Sequence, residues 1–330
     1  MPSPIASTPS VDSLPKHDLF KLKGLKIGQM EDSVGITGCT VFLFEKGATA
    51  GVDVRGAAPG SRELASLEPG NLVEEVHAIV LSGGSAFGLA SMSGVADYLE
   101  TKGIGYDVGV TKVPIVVGAV LFDLTIGDHT IRPDYEMGYQ AAKQANDTHF
   151  SSGNHGAGMG ATVGKVKGME YATKSGIGSA TLTFKNGLIV SAVVAVNALG
   201  NVYEGDRIIA GMLNKEKDGY EEATDYILNG YKSNIFAGSN TTIGVVLTNA
   251  KLSKAQCRKL AQTSHDAYAA RIRPTHTLYD GDTIFAAATG EIEFNDALFL
   301  SVAANRAMEQ AILNAVKEAE DISGFTAGGK

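Results

Sequence analysis

Glycine interrupts nearly every apolar stretch of this chain, and that limits what it can fold into. There are 40 glycines in 330 residues, about one in eight. They follow no three-residue period and sit inside apolar segments, so neither a collagen repeat nor low-complexity sequence fits. Such a distribution calls for many tight turns and for places where one backbone must approach another closely. The apolar runs between the glycines are short. The longest, 188–199 and 113–124, fall below the roughly 18 residues a membrane helix needs and suit buried strands.

These runs alternate with a few amphipathic segments. Residues 39–44 (CTVFLF) and 48–54 are expected to pair as a hairpin around Glu45-Lys46-Gly47, and 181–184 with 188–196 around Lys185-Asn186-Gly187. The run 77–81 (HAIVL) reads as a buried strand leading through Ser82-Gly83-Gly84 into a helix over 86–102. Further helices are expected over 133–147, from a Ser253 cap to 271, and over 297–319, with strands over 241–248 and 283–288. The polar segment 214–240 reads as a surface excursion with a short helix near 220–228. Strands group with strands and helices with helices, which favours a layered α+β sandwich, in a single domain, over a doubly wound sheet.

Composition narrows the function classes. Hydrophobic residues make up 44% of the chain, enough for a large core, and 28 Lys+Arg against 36 Asp+Glu give a net charge of −8. That balance argues against nucleic acid or an anionic membrane as partner. Cys39 and Cys257 are too few and too far apart for a disulfide framework and read as thiols of a reducing compartment. The first residues, MPSPIASTPSVDSLPKHD, lack the apolar core of a secretory signal. Residues 1–18 are therefore read as a flexible arm before a domain over 19–330, in a soluble, cytoplasmic protein.

Several motifs fail on inspection. In Ser82-Gly83-Gly84-Ser85-Ala86-Phe87-Gly88, Ser85 stands where a dinucleotide fingerprint needs glycine and Phe87 where a nucleophile elbow does. A strand-to-helix turn remains. Gly164-Lys165 resembles the end of a phosphate loop, but Met159 and Val166 replace its first glycine and its hydroxyl. Asp280-Gly281-Asp282 with Glu291 has calcium-loop spacing, yet Ile284 and Phe285 occupy positions that need an oxygen ligand and a glycine. The seven histidines show no metal spacing. His77 and His276 read as structural or supporting residues, and no metal or cofactor is expected.

Asn240-Thr241-Thr242 lies where the polar excursion meets a strand expected to be buried. A threonine hydroxyl is a poor nucleophile without an adjacent base. An N-terminal threonine has one in its own α-amino group, whose pKa is about 8. To use it, the chain must cut itself before Thr241: the hydroxyl attacks the Asn240 carbonyl, the acyl group moves from N to O, and water hydrolyses the ester. The plainer reading of Thr-Thr at a strand start is β-propensity. Asp280 and Asp282 flank a glycine just before another strand, and an extended chain there projects both carboxylates from one face. Such a pair can orient a hydroxyl or hold an ammonium group; the plainer reading is a polar turn.

Taken in order, these motifs carry a resemblance. Asn240-Thr241-Thr242-Ile243-Gly244-Val245-Val246 and Asp280-Gly281-Asp282-Thr283 resemble the L-aminopeptidase/D-esterase (β-aminopeptidase) family, in particular its nylon-oligomer (6-aminohexanoate-oligomer) hydrolase branch. The likeness continues through Gly38-Cys39-Thr40, Gly51-Val52-Asp53-Val54-Arg55-Gly56, the 77–88 segment, Val113-Pro114-Ile115-Val116, Gly156-Ala157-Gly158, Gly164-Lys165 and Val196-Asn197-Ala198-Leu199-Gly200, covering roughly 25–320.

The resemblance implies a self-cleaving N-terminal-nucleophile hydrolase with an αββα sandwich. Its α-chain would be 1–240 and its β-chain 241–330, assembled as a tetramer of αβ units. It gives Thr241 the role of nucleophile and Asn197 that of oxyanion donor. Lys165, Asp280 and Asp282 match the nylon-oligomer branch, whereas the β-aminopeptidases resemble one another in having Ser and Glu at the acidic pair. Lys165 would stabilise the developing charge or depress a neighbouring pKa. The implied substrates are short peptides, amino-acid amides or 6-aminohexanoate oligomers. Two rivals stand beside this reading. Ornithine acetyltransferases look similar and also cut before Thr, but after a Lys-Gly pair where this chain has Ser239-Asn240. The other is an unprocessed, non-enzymatic binding protein on the same sandwich.

Overall fold

The computed structural model describes residues 18–230 and 240–329. The arm expected at the N-terminus lies outside the described residues except at its last position, as does 231–239 of the polar excursion. The main sheet has nine strands: β1 (Leu25–Asp32), β2 (Thr37–Val54), β3 (Gly60–Arg62), β4 (Glu75–Ser82), β5 (Val116–Val120), β6 (Ile177–Thr183), β7 (Ile189–Asn197), β8 (Thr241–Ala250) and β9 (Thr283–Ile292). Their order is β6-β7-β8-β9-β2-β4-β5-β3, with β1 added alongside β2. Among the described residues the α-helices are α1 (Ser91–Thr101), α2 (Tyr135–Gln144), α3 (Ala223–Leu228), α4 (Lys254–Arg271) and α5 (Ala297–Lys317). All but α3 flank the sheet; the short α3 packs apart with Val166, Leu199 and Met212.

The sheet is folded over on itself, and β2 is the fold line. Residues 39–44 and 48–54 do not pair with each other as a hairpin, contrary to the sequence expectation. They are two halves of one strand, with Gly47 at φ 82 and an irregular register between Leu43 and Ala48. The first half pairs with β1 and β4, and the second with β9. The other expected hairpin forms, with β6 and β7 joined through Gly187 at φ 83.

Side-chain alternation along the strands then builds the layers. On β7, Val190, Ala192, Val194 and Val196 join a core with α4 and α5. Ile189, Val193 and Ala195 point the other way and meet Phe42, Phe44, Ile79, Leu81 and Val117 of the opposite half-sheet. Val41, Leu43, Ala78 and Val80 on the far face of that half pack against α1 and α2. The result is helix, sheet, sheet, helix: the αββα sandwich, as expected.

The helices end where their sequence tells them to. Ser253 and Gln256 form a reciprocal capping box on α4, and the Asp134 carboxylate accepts from Met137 N at the start of α2. Pro133 therefore lies just outside α2, not in its first turn. The segment expected to be helical from 86 begins as a 3-10 turn over Ser85–Ala90 before α1.

Close backbone approaches account for much of the glycine. A Cβ on Gly51 of β2 would stand 2.2 Å from Arg258 N of α4, and one on Gly178 of β6 would stand 2.2 Å from Ala311 O of α5. The helices sit on the sheet where there is no side chain. Gly178→Val is expected to force α5 outward and to cost about 1–3 kcal/mol. Urea unfolding would show this as a lower midpoint; an unchanged midpoint would mean that α5 is not seated on β6 in this way.

Candidate active site

β7 and β8 pair antiparallel from Val190 opposite Thr248 to Asn197 opposite Thr241. Asn197 shares its parity with Val193 and Ala195, and Thr241 with Ile243 and Val245. All four of those apolar residues belong to the core between the half-sheets, so alternation aims Asn197 and Thr241 into the same inter-sheet layer. β9 runs parallel to β8, and a bridge between Asn240 and Asp280 extends that pairing one step toward the acidic tripeptide. Lys165 arrives from a different loop. Gly164 N and Lys165 N donate to Gly200 O and Leu199 O, each at 3.0 Å, which ties this loop to the residues just after β7.

All six residues singled out in the sequence are therefore gathered in one place, and all are buried: Thr241, Asn240, Asn197, Lys165, Asp280 and Asp282. Buried polar groups need partners, and the partners define the site. The Thr241 hydroxyl donates to the carbonyl oxygen of Asn240, and Gly281 N donates to that same oxygen at 2.9 Å. The carbonyl of the proposed cleavage point thus carries both the hydroxyl that would attack it and a backbone donor.

The Asn197 amide is fixed in orientation. Its Oδ1 accepts from Lys165 Nζ at 2.8 Å and from Thr162 N at 3.1 Å, while its Nδ2 donates to Phe122 O at 2.9 Å. Lys165 Nζ also donates to Asn197 O at 2.9 Å. An amide nitrogen has two N–H bonds and Phe122 takes one, which leaves geometry for an oxyanion.

The acidic pair lies just before β9: the Asn240–Asp280 bridge carries the parallel register back to Asp280, and continuous strand pairing starts at Thr283. A turn also holds Asp280: its N donates to Thr277 O, and its Oδ2 accepts from Thr277 N at 3.0 Å. Asp280 Oδ1 accepts from Leu199 N at 3.3 Å. Asp282 Oδ1 accepts from Thr242 N at 2.8 Å, and its Oδ2 from Thr275 Oγ1, His276 N and His276 Nδ1. Every oxygen of the pair is thus engaged by a donor of the chain itself. Asp282 thereby holds the amide just after Thr241, and Asp280 the residues just after β7.

Sequence reasoning passed over Asp123. It is fully buried, accepts from Thr37 Oγ1 at 2.6 Å and Gly84 N at 2.7 Å, and immediately follows Phe122. The signal was there: it is the one acid inside the apolar run 113–124. The Ser82-Gly83-Gly84 turn, empty as a nucleotide motif, serves as the anchor for that carboxylate. His77 is the structural residue expected, its Nδ1 accepting from Ile115 N at 3.1 Å. Burial pushes Asp123 up to about 6. Asp280 also rises to about 6, through burial and then the charge of Asp282. Burial brings Lys165 down to about 7 against the opposing pull of Asp280, Asp123 and Asp282.

Comparison with known proteins places the chain in a family. Residues 18–328 match the model of peptidase family S58. An uncharacterized aminopeptidase of Mycobacterium leprae is 36% identical, over 94% of this chain and 93% of that protein. A 6-aminohexanoate-oligomer endohydrolase of Kocuria sp. is 30% identical, over 90% and 85% respectively. Among solved structures, the L-aminopeptidase D-Ala-esterase/amidase from Ochrobactrum anthropi, described as a variant of the Ntn hydrolase fold, superposes with a TM-score of 0.72. It covers 96% of this chain and 90% of its own, at 17% identity. The folded-over sheet and the matched family agree: this chain belongs to peptidase family S58 and is a hydrolase.

Proposed function

We propose that the protein cleaves itself between Asn240 and Thr241 and then hydrolyses small amides through an acyl-Thr241 intermediate. The observation that carries this is the Thr241 hydroxyl lying on the Asn240 carbonyl oxygen while Gly281 N holds the same oxygen. In self-cleavage Oγ1 attacks the Asn240 carbonyl carbon, the C–N bond breaks with the proton passing to nitrogen, and water hydrolyses the ester. That releases the Asn240 carboxylate and leaves Thr241 with its hydroxyl and a new amine. The products are chains 1–240 and 241–330.

In turnover the amine takes the hydroxyl proton as Oγ1 attacks a substrate carbonyl, then passes it to the leaving amine. Asn197 Nδ2 donates to the oxyanion, and Lys165, which bonds both oxygens of Asn197, polarises that amide. Water then frees the acyl group. Short peptides, amino-acid amides and 6-aminohexanoate oligomers are the substrates that the motifs and the named relatives support, with a tetramer of αβ units as the assembly.

Thr241→Ala is expected to remain one uncut band on a denaturing gel, while wild type gives two; two bands from the variant would discard this nucleophile. Asn197→Ala is expected to lower kcat by about 10²–10³ with little change in KM, as loss of one oxyanion donor does. Steady-state assays on a 6-aminohexanoate oligomer and an amino-acid p-nitroanilide measure this and separate the two substrate classes. Lysine is charged below its pKa, so a polarising Lys165 loses its effect as pH rises through about 7. Turnover should therefore slow across that range, and Lys165→Met should abolish the alkaline limb of kcat. A limb that survives the substitution would assign it to another group.

A further inference from the structure

We infer that His276 is a positioning residue for Thr241, acting through Asp282; this rests on the function just proposed. His276 presents two donors to one atom. Its backbone N, at 3.0 Å, and its Nδ1, at 2.8 Å, both reach Asp282 Oδ2. The other oxygen of that carboxylate accepts from Thr242 N at 2.8 Å, the amide directly after the nucleophile. Asp282 therefore bridges the imidazole to the start of β8. Because a carboxylate is a rigid plane, the donors that converge on one oxygen, two of His276 and Thr275 Oγ1 at 3.0 Å, constrain the direction of the other.

Two further features show that the ring is held for this contact. His276 has φ 56, the left-handed region that a histidine seldom adopts. This conformation is what brings the backbone N–H and Nδ1 of the same residue to the same oxygen. The ring is also packed from behind by α4. It lies 4.8 Å edge-on from His265 and is stacked at 6.0 Å on Tyr268, between centroids. His265 is itself anchored by Nε2 on Asp53 O at 3.1 Å and kept neutral by burial. The orientation of the imidazole is thus determined by a buried aromatic group, and its only hydrogen-bond partner among the described residues is the carboxylate.

The left-handed backbone supplies the test. Asparagine tolerates that region and carries an amide N–H near the place of Nδ1, whereas glycine adopts it more readily and donates nothing. A purely structural role, in which the backbone turn is what matters, predicts that His276→Gly is at least as good as His276→Asn. A positioning role predicts the reverse. Self-cleavage on a denaturing gel and kcat of the processed enzyme should fall by about 10²-fold in His276→Gly. His276→Asn should recover most of this loss, with KM unchanged in both.

Hydrogen exchange of the Thr242 amide, read by mass spectrometry on the peptide around it, should quicken in the glycine variant and stay slow in the asparagine variant. Unchanged exchange in His276→Gly, or equal behaviour of the two variants, would overturn the inference. An intact single band from wild type would instead overturn self-cleavage, and the exchange measurement would still decide the role of His276.

Discussion

The register between β7 and β8 is the constraint on which the site depends. It sets Asn197 opposite Thr241 at the end of the ladder and turns both toward the layer between the half-sheets. The side-chain period of a strand is two, so a slip of one residue in either strand would send one of the pair into the helix-side core. The register belongs to the whole ladder, not to its tip alone. It is held further along, where Val190, Val194 and Val246 on one face and Val193, Ile243 and Val245 on the other are each committed to a different core. Apolar packing over the length of two strands thus fixes the placement of a hydroxyl and an amide at their tip.

The same enclosure sets the electrostatics. Asp123, Asp280, Asp282 and Lys165 are buried together, three acids to one base. Desolvation disfavours every charge, and the pairwise attractions oppose it only in part. Two of the acids are drawn up, and the lysine down, toward neutral pH. The hydrogen bonds explain why this clustering is tolerated: each carboxylate oxygen faces a backbone or hydroxyl donor, so no charge is left bare.

Much of this was legible in the sequence, and the parts that were not share a cause. The 188–196 and 241–248 runs read as strands because their apolar, β-branched character is local, and Ser253 read as a cap for the same reason. The fold line within β2 did not. Glu45-Lys46-Gly47 looks like a hairpin turn, and only the partners on either side show that it bends one strand between two half-sheets. Asp280 and Asp282 were found by their spacing, but the spacing did not show the turn at Thr277, whose N and side chain both bond the Asp280 carboxylate. His276 read as a supporting residue and Asp123 stands out as the one acid of an apolar run, but their distant partners, Thr242 through Asp282 for one and Thr37 and Gly84 for the other, follow from no local pattern.

Asp280-Gly281-Asp282 shows how closely the chemistry and the glycine are joined. A Cβ on Gly281 would stand 2.6 Å from Ala58 O and 2.8 Å from Thr241 Oγ1. Any side chain there would displace the hydroxyl or the 56–60 segment behind it. That segment is itself pressed against the tripeptide, since Ala58 N donates to Asp280 O at 2.9 Å and a Cβ on Gly56 would meet that oxygen at 2.2 Å. The backbone must come this near for Gly281 N to reach the Asn240 carbonyl, and the acids on either side anchor it to Leu199 and to Thr242. The glycine abundance that limited the fold at the outset therefore has a local counterpart here: a main-chain donor reaches a carbonyl only where side chains are absent.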